Sequence, residues 1–233
     1  MLSRRTASIL ASAAVCATVG VAVPAACLAL DTQIHTTVTY GAGTSAITTL
    51  VVDDSSGNVQ VTGGASALSV TEHRSYRDSA PTSTHTVAGG TMTLGFACTS
   101  DDCGIDYDVK VPTGVAVQIT TTGGDVILAE IGGPIQATTD AGDIRATGLT
   151  SPTARFSDDA GDILVGFAAV PGTVVAASDA GDVTVFLPGS GTYHVSASTQ
   201  AGDHHVTVPQ SDSSPDSVTV KSDAGDVAVR TQM

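Results

Sequence analysis

This chain of 233 residues has 23 acidic against 9 basic side chains, and the resulting net charge of −14 excludes nucleic-acid binding because few cations are available to contact phosphates. A hydrophobic fraction of 42% with only 14% charged residues excludes a disordered chain. Aromatic residues make up 3% and tryptophan is absent, so the core must consist of aliphatic and small side chains.

The first 30 residues are predicted to be a signal peptide or a membrane anchor. Arg4 and Arg5 precede an uncharged, small and apolar stretch that continues to residue 30, which is the layout of a secretory signal. Three outcomes remain open: cleavage after Ala25 or Ala29, lipidation of Cys27, or retention as an uncleaved anchor. Each of them predicts an extracytoplasmic protein that is either secreted or tethered to the outer face of the cytoplasmic membrane.

Residues 31–114 are predicted to form a degenerate first β turn followed by a small β-meander. Apolar residues alternate with polar ones on both sides of a Gly57-Asn58 step, at Leu50, Val52, Val59 and Val61. From residue 62 onward, shorter alternating runs are separated by proline and glycine breakers, which predict the turns of the meander.

Two cysteines lie outside the first 30 residues, Cys98 and Cys103, and they are predicted to form a disulfide. A bridge across so short a loop stabilises the fold modestly, and its main effect is to fix a hairpin turn. A metal site is the weaker alternative, because it needs more soft ligands than two cysteines.

Residues 115–230 are predicted to form a β-solenoid of stacked repeats. Each unit contains a Gly-Asp step, and successive Asp residues lie 18, 19, 20, 21 and 23 positions apart. A period of about 20 residues is typical of stacked repeats. The six predicted structural turns are Gly124-Asp125, Gly142-Asp143, Gly161-Asp162, Gly181-Asp182, Gly202-Asp203 and Gly225-Asp226.

Within each unit, apolar residues lie eight and six positions before the Asp and one and three positions after it. Val117, Ile119, Val126 and Leu128 show this pattern in the first unit. Each unit is therefore predicted to form two half-buried strands joined by a Gly-Asp bend. Because two short strands cannot bury their own apolar face, the units must stack, with strands ~4.8 Å apart. The predicted fold class is all-β, a parallel β-helix-like solenoid with a small β-meander insert.

Together, three features resemble the DUF4097 family of adhesin-like bacterial envelope proteins, which is similar to the LiaG type. They are the recurrent Gly-Asp-Val/Ile step, the Cys98 and Cys103 pair, and the passage from Asp106 to Gly114 that leads into the repeats. The resemblance covers residues 32–230. It implies a right-handed parallel-β-helix-like fold and an envelope location, and it supplies no catalytic residues.

The bends also suggest a calcium site. In four units a second carboxylate lies three residues before the Asp of the Gly-Asp step, and stacking would align these carboxylates in columns. The candidate ligands are Asp140, Asp143, Asp159, Asp162, Asp179, Asp182, Asp223 and Asp226. We favour a structural interpretation, in which each Asp accepts backbone N–H groups and each Gly supplies the positive φ that the bend needs. No cofactor is predicted.

One histidine, His204, breaks the apolar register, and His205, His194 and Asp203 lie near it. These side chains could hold a transition metal, but a solvated end or a widened core is the interpretation that we favour. The sequence contains no nucleophile elbow, phosphate loop or zincin helix, so the chain is predicted not to be an enzyme.

The last apolar strand, Val227 to Val229, is followed by only four residues, which predicts an open sheet edge at the end of the chain. Either a partner or a second copy docks there by strand addition, or the edge stays exposed or is covered by the short tail.

The sequence therefore predicts a non-enzymatic, exported cell-envelope protein that acts as an adhesin-like interaction scaffold or as an envelope-stress-associated surface module. Two alternatives stay open, a calcium-responsive structural β-roll and a carbohydrate-active β-helix enzyme. The expected partner is an envelope or extracellular molecule whose identity the sequence does not give.

Overall fold

A computed structural model describes residues 33–43, 46–54, 56–100 and 102–232, and its regular secondary structure consists of β-strands. Within these ranges, no helix is long and apolar enough to cross a membrane. The predicted signal peptide or anchor lies outside the described residues. The all-β fold class predicted from the alternating pattern is confirmed.

Nineteen strands follow one another along the described chain. They are β1 (Ile34–Gly41), β2 (Thr49–Asp54), β3 (Val59–Ala65), β4 (Ser69–Tyr76), β5 (Thr82–Ala88), β6 (Thr91–Ala97), β7 (Cys103–Pro112), β8 (Ala116–Thr121), β9 (Val126–Ala129), β10 (Ile135–Ala141), β11 (Ile144–Leu149), β12 (Thr153–Ala160), β13 (Ile163–Phe167), β14 (Thr173–Ala180), β15 (Val183–Leu187), β16 (His194–Ala201), β17 (His204–Val206), β18 (Ser217–Ala224) and β19 (Val227–Thr231). Alternate side chains of a strand enter the core, as in β15, where Val183, Val185 and Leu187 are buried.

The strands form two sheets that together make a stack. Read from the same end, one sheet has ten strands in the order β1-β4-β7-β3-β9-β11-β13-β15-β19-β17. The other has nine, in the order β5-β6-β2-β8-β10-β12-β14-β18-β16. Pairs that involve β1, β4 or β5 are antiparallel, and the other neighbouring strands are parallel. We call two consecutive strands, one in each sheet, together with the bend between them, a turn of the stack.

The register between turns keeps equivalent residues of the repeat side by side. Val117 pairs with Ile135, Ile135 with Ala154, and Ala154 with Val174. These side chains lie in one continuous hydrophobic core that both sheets share. Stacking therefore buries the apolar face that a single turn would leave exposed.

The segment predicted as a separate meander contributes instead to the same two sheets. Strands β6 and β7 form a turn that stacks in parallel on β2 and β3, and the disulfide between Cys98 and Cys103 closes its bend. Strands β1, β4 and β5 are antiparallel additions that cover this end of the stack. We call it the capped end. The predicted disulfide is thus confirmed, but it replaces a Gly-Asp bend rather than fixing a hairpin.

The opposite end of the stack does not contain the last strand of the chain. The turn β18-β19 lies between β14-β15 and β16-β17, because β19 pairs with both β15 and β17. The prediction that Val227 to Val229 forms the final edge is therefore wrong. The outermost strands are β16 and β17, and we call this end of the stack the open end.

Candidate functional site

A ladder of side-chain acceptors runs along the bends of the stack. Each ladder residue except Asp203, in the last turn, accepts through Oδ1 a hydrogen bond from the backbone N–H of the ladder residue in the next turn. The bonds run from Asn58 to Asp106 (2.7 Å), Asp125 to Asn58 (2.9 Å), Asp143 to Asp125 (3.0 Å), Asp162 to Asp143 (3.0 Å), Asp182 to Asp162 (2.7 Å), Asp226 to Asp182 (2.7 Å) and Asp203 to Asp226 (2.8 Å). The Gly-Asp aspartates thus act as backbone acceptors that join neighbouring turns.

The glycines of these steps are required mainly because the bends lie so close together. A Cβ on Gly161 would lie 2.5 Å from the carbonyl oxygen of Gly142 in the neighbouring turn, which is well inside van der Waals contact. Gly124 and Gly142 have φ of 114° and 133°, as the bend was predicted to need. Gly161 has no positive φ, so at this position the predicted reason was wrong and the close approach alone excludes a side chain.

A second row of polar side chains lies inside the bends, and the sequence analysis missed it. Its members stand four positions before the ladder residue and are paired strand to strand in register. The buried members are Asp54, Thr121, Thr139, Asp158, Ser178 and Ser222. The signal was available, because an alternation that buries positions eight and six before the Asp must also bury the position four before it.

Three hydroxyls in or next to this inner row share one hydrogen-bonding pattern. Each donates to the carbonyl of the bend glycine in the neighbouring turn: Ser178 to Gly161 (3.1 Å), Ser222 to Gly181 (2.8 Å) and Thr199 to Gly225 (2.8 Å). The hydroxyl thereby satisfies a carbonyl that the tight bend leaves without a strand partner.

Asp158 occupies the same inner position but is a carboxyl group. Only 2% of it is exposed, its Oδ1 accepts from the Ala160 N–H at 3.0 Å, and its Oδ2 is buried with no hydrogen-bond partner among the described residues. Burial raises the pKa of Asp158 from 3.8 to about 6, and the Asp143, Asp159 and Asp162 carboxylates also raise it, against the Ala160 N–H, which lowers it. The inner row therefore contains a carboxyl group whose pKa is raised well above its ordinary value.

The calcium hypothesis gains no support from the bend geometry. The second carboxylates, Asp140, Asp159, Asp179 and Asp223, are exposed on the outer surface. Within the described ranges, no three His, Cys, Asp or Glu side chains are placed so that they could hold a metal ion. The ladder aspartates already use one oxygen each on a backbone N–H, so the bends need no cation to be joined.

A buried charge lies at the capped end, within a satisfied network. Glu72 on β4 is fully buried, and it accepts hydrogen bonds from the Tyr40 hydroxyl at 2.6 Å and from Arg74 Nε at 2.8 Å. Arg74 also donates to Ser83 Oγ at 2.6 Å. Burial and the bond to Glu72 raise the pKa of Tyr40, which keeps this hydroxyl a donor. The network joins β1, β4 and β5, so we interpret it as a structural contact that holds the capped end together.

The open end is where the core reaches the surface. Val195, Ala197 and Val206 are only partly buried, although the equivalent residues of β18 and β19 are buried completely. They line a shallow groove of about 450 Å³ together with His204 and His205. Both histidines are exposed, and their place on the outermost turn agrees with the solvated end that we favoured for them.

The edges of this last turn are largely unpaired. Strand β17 pairs with β19 and strand β16 with β18, and neither has a second strand neighbour among the described residues. Only the first position beside β16 is covered, where Tyr193 exchanges backbone hydrogen bonds with Pro209 and Ser211. The open end therefore combines free strand edges, which offer unpaired backbone groups, with half-buried apolar side chains.

Several solved structures of bacterial proteins are similar to this chain. One is described as a "putative cell adhesion protein" from Clostridium sporogenes, with 12% identity and a TM-score of 0.46, and the match covers 86% of this chain and 100% of that chain. Another is described as a "putative adhesin" from Bacteroides fragilis, with 12% identity, a TM-score of 0.48 and coverage of 84% and 97%.

A third, also described as a "putative adhesin", is from Parabacteroides distasonis, with 11% identity, a TM-score of 0.41 and coverage of 85% and 97%. No curated protein matches the chain. The family model described as Toastrack DUF4097 matches residues 31–232, which includes every strand of the stack. The chain therefore belongs to the Toastrack DUF4097 family, as its Gly-Asp steps, cysteine pair and 106–114 passage indicated.

Proposed function

We propose that this protein is a non-enzymatic, exported component of the cell envelope that acts as an adhesin-like interaction scaffold and makes its contacts through the open end. The observation that carries the proposal is the exposed end of the core, where Val195, Ala197 and Val206 are half-buried beside two free strand edges. Exposed apolar surface next to unpaired backbone groups favours binding to another molecule.

Three further sets of polar groups have structural partners, and this supports a scaffold rather than a catalyst. The ladder carboxylates accept backbone N–H groups, the inner hydroxyls donate to glycine carbonyls, and Glu72 is paired with Arg74. These contacts hold the turns and the capped end together. The open end is therefore the surface on which a partner would gain the most binding free energy.

The direction of the stack suits a tethered protein. Strand β1 follows the predicted export segment and lies at the capped end, at the opposite edge of its sheet from β17. A tether that precedes β1 would hold the capped end near the membrane and would leave the open end facing outward. The disulfide between Cys98 and Cys103 fits the oxidising surroundings that export implies.

The proposal is tested with labelled protein that begins at residue 33 and is added to intact cells of the producing bacterium from which the gene has been deleted. We expect saturable binding that Val206→Lys weakens roughly tenfold or more, because the lysine places a charge on the half-buried groove. Thr184→Lys, on the outer face in the middle of the stack, is the matched control and should bind as the parent does. No saturable binding, or equal binding by both variants, would refute the proposal.

A further inference from the structure

We infer that the open end accepts one additional turn of the same strand-bend-strand type, supplied by another polypeptide. This inference rests on the proposed function, because it names the class of partner for the open end. Its basis is that the last turn displays, unsatisfied, a ladder carboxylate and a glycine carbonyl of the kind that accepts a hydroxyl in the three turns before it in the stack.

The ladder stops at an acceptor that has no donor. The carboxylates of Asp125, Asp143, Asp162, Asp182 and Asp226 each accept a backbone N–H from the next turn. Asp203 gives its own N–H to Asp226, but no described residue donates to the Asp203 carboxylate. A backbone N–H of an added bend would complete the series, at the 2.7 to 3.0 Å found along the ladder.

The inner contacts stop at the same place. The carbonyls of Gly161, Gly181 and Gly225 each accept a hydroxyl from the next turn, and the Gly202 carbonyl is the following member of this series. Among the described residues, no group donates to the Gly202 carbonyl. The added segment should therefore carry Ser or Thr inside its bend. It should also carry glycine at the bend, because neighbouring bends approach too closely for a Cβ.

The apolar side chains of the last turn set the remaining requirement for the added segment. Val195, Ala197 and Val206 are half-buried, and small apolar side chains on two short parallel strands would cover them as they do in the other turns. A second copy of this chain cannot supply such a turn from its opposite end, because β1, β4 and β5 already cover that end. The partner that fits is a free segment with alternating apolar residues around a glycine bend.

The chain itself provides a probe for this inference, a synthetic peptide of residues 173–187. In this peptide, Ser178 would donate to the Gly202 carbonyl, the Asp182 N–H would donate to the Asp203 carboxylate, and Gly181 would allow the bends to approach. The peptide comes from the middle of the stack, where exchange with the bound turn would require both neighbouring turns to open. The protein that begins at residue 33 is titrated with the peptide, and the site is mapped by amide hydrogen exchange.

We expect saturable binding, with new protection of amides in β16 and β17. A Gly181→Val peptide should bind about tenfold more weakly or not at all, because its side chain meets the Gly202 carbonyl. This control leaves the protein unchanged, so its result does not depend on the folding of a variant. In the protein, Asp203→Ala should lower the affinity for the parent peptide, and Asp179→Ala, which removes an exposed carboxylate elsewhere, should not.

Three results would overturn the inference: no saturable binding up to about 1 mM peptide, equal binding by the Gly181→Val peptide, or protection confined to β1 and β5. A dimer joined through β16 and β17 in the absence of peptide would also overturn it, since a second copy would then cover the end. If Val206→Lys abolishes cell binding while the peptide fails to bind, the proposed function stands and only this choice of partner is wrong.

Discussion

Replacing Asp158 by serine should stabilise the protein at neutral pH. Ser178 and Ser222 occupy the equivalent position in other turns and donate to a glycine carbonyl in the neighbouring turn. The glycine carbonyl at the equivalent place beside Asp158 is that of Gly142, and its oxygen and the Asp158 Oδ2 both lie 2.5 Å from the point where a Cβ on Gly161 would be. An ionised carboxylate cannot donate to that carbonyl, whereas a serine hydroxyl or a protonated carboxyl can.

The magnitude follows from the raised pKa. Burial raises the pKa of Asp158 from 3.8 to about 6, so the folded protein holds this proton more tightly than the unfolded chain does. Stability from this group is therefore fully present below pH 4 and is lost as the pH rises from about 4 to above 6. A shift of about two pKa units corresponds to a cost of about 3 kcal/mol at pH 7.5, which Asp158→Ser removes.

The assay is urea unfolding of the parent, Asp158→Ser and Asp158→Asn between pH 4.5 and 8. The quantity to compare is the difference in the free energy of unfolding between each variant and the parent, because the other carboxylates then cancel. That difference should rise in favour of both variants by about 2 kcal/mol between pH 4.5, where about 1 kcal/mol of the cost is already present, and pH 7.5. Asp159→Ser, at the exposed neighbouring position, is the control and should show much less change. A difference that does not vary with pH, or a serine variant less stable than the parent at pH 7.5, would refute the reasoning.

Three further predictions concern the bends and the cap. Gly181→Val should destabilise the protein by more than 3 kcal/mol, roughly the scale of severe overpacking, whereas Thr184→Val should change stability by about 0.5 kcal/mol or less. Urea unfolding compares the two variants, and equal small effects would contradict the close approach of the bends. Calcium should raise the melting temperature by no more than about 2 °C relative to chelator at low ionic strength, a shift worth under 1 kcal/mol, because backbone N–H groups already join the ladder. A rise of tens of degrees would favour the cation hypothesis. Arg74→Leu should cost about 3 kcal/mol by leaving the buried Glu72 carboxylate without its cation, whereas Arg77→Leu, at a more exposed arginine, should cost much less in the same unfolding assay.

The repeat, its strands and the disulfide could be predicted because each depends on residues close in sequence. Val183 and Val185 follow the bend at alternating positions, and such alternation indicates which side chains enter the core. The inner row escaped prediction only because the pattern was followed at two positions before the bend and not at the third. Asp158 could have been found in this way, since Ser178 and Ser222 stand at the same offset in their units.

The place of β6 and β7 in the stack could not be predicted from the Gly-Asp pattern. Asp106 occupies a ladder position and accepts the Asn58 N–H, but no glycine precedes it at the bend offset. The loop closed by Cys98 and Cys103 replaces the bend and shifts the spacing, so the unit does not align with the other repeats. The parallel pairing of β6 with β2 then depends on contacts between residues some 40 positions apart, as in Leu50 with Met92.

The order of the last two turns has a physical reason that appears only when the turns are compared. Every turn presents nearly the same edges, so backbone pairing alone does not decide whether β16-β17 or β18-β19 lies outermost. The inward residues of β18-β19 include Val218, Val220, Val227 and Val229, all buried, whereas β17 offers His204 opposite Val227. When β18-β19 takes the inner place, more apolar surface is buried. The His204 imidazole then stays in water, so no desolvation cost arises. His204, which breaks the apolar pattern, thus indicates that the stack ends at β16-β17, although the chain continues for another turn.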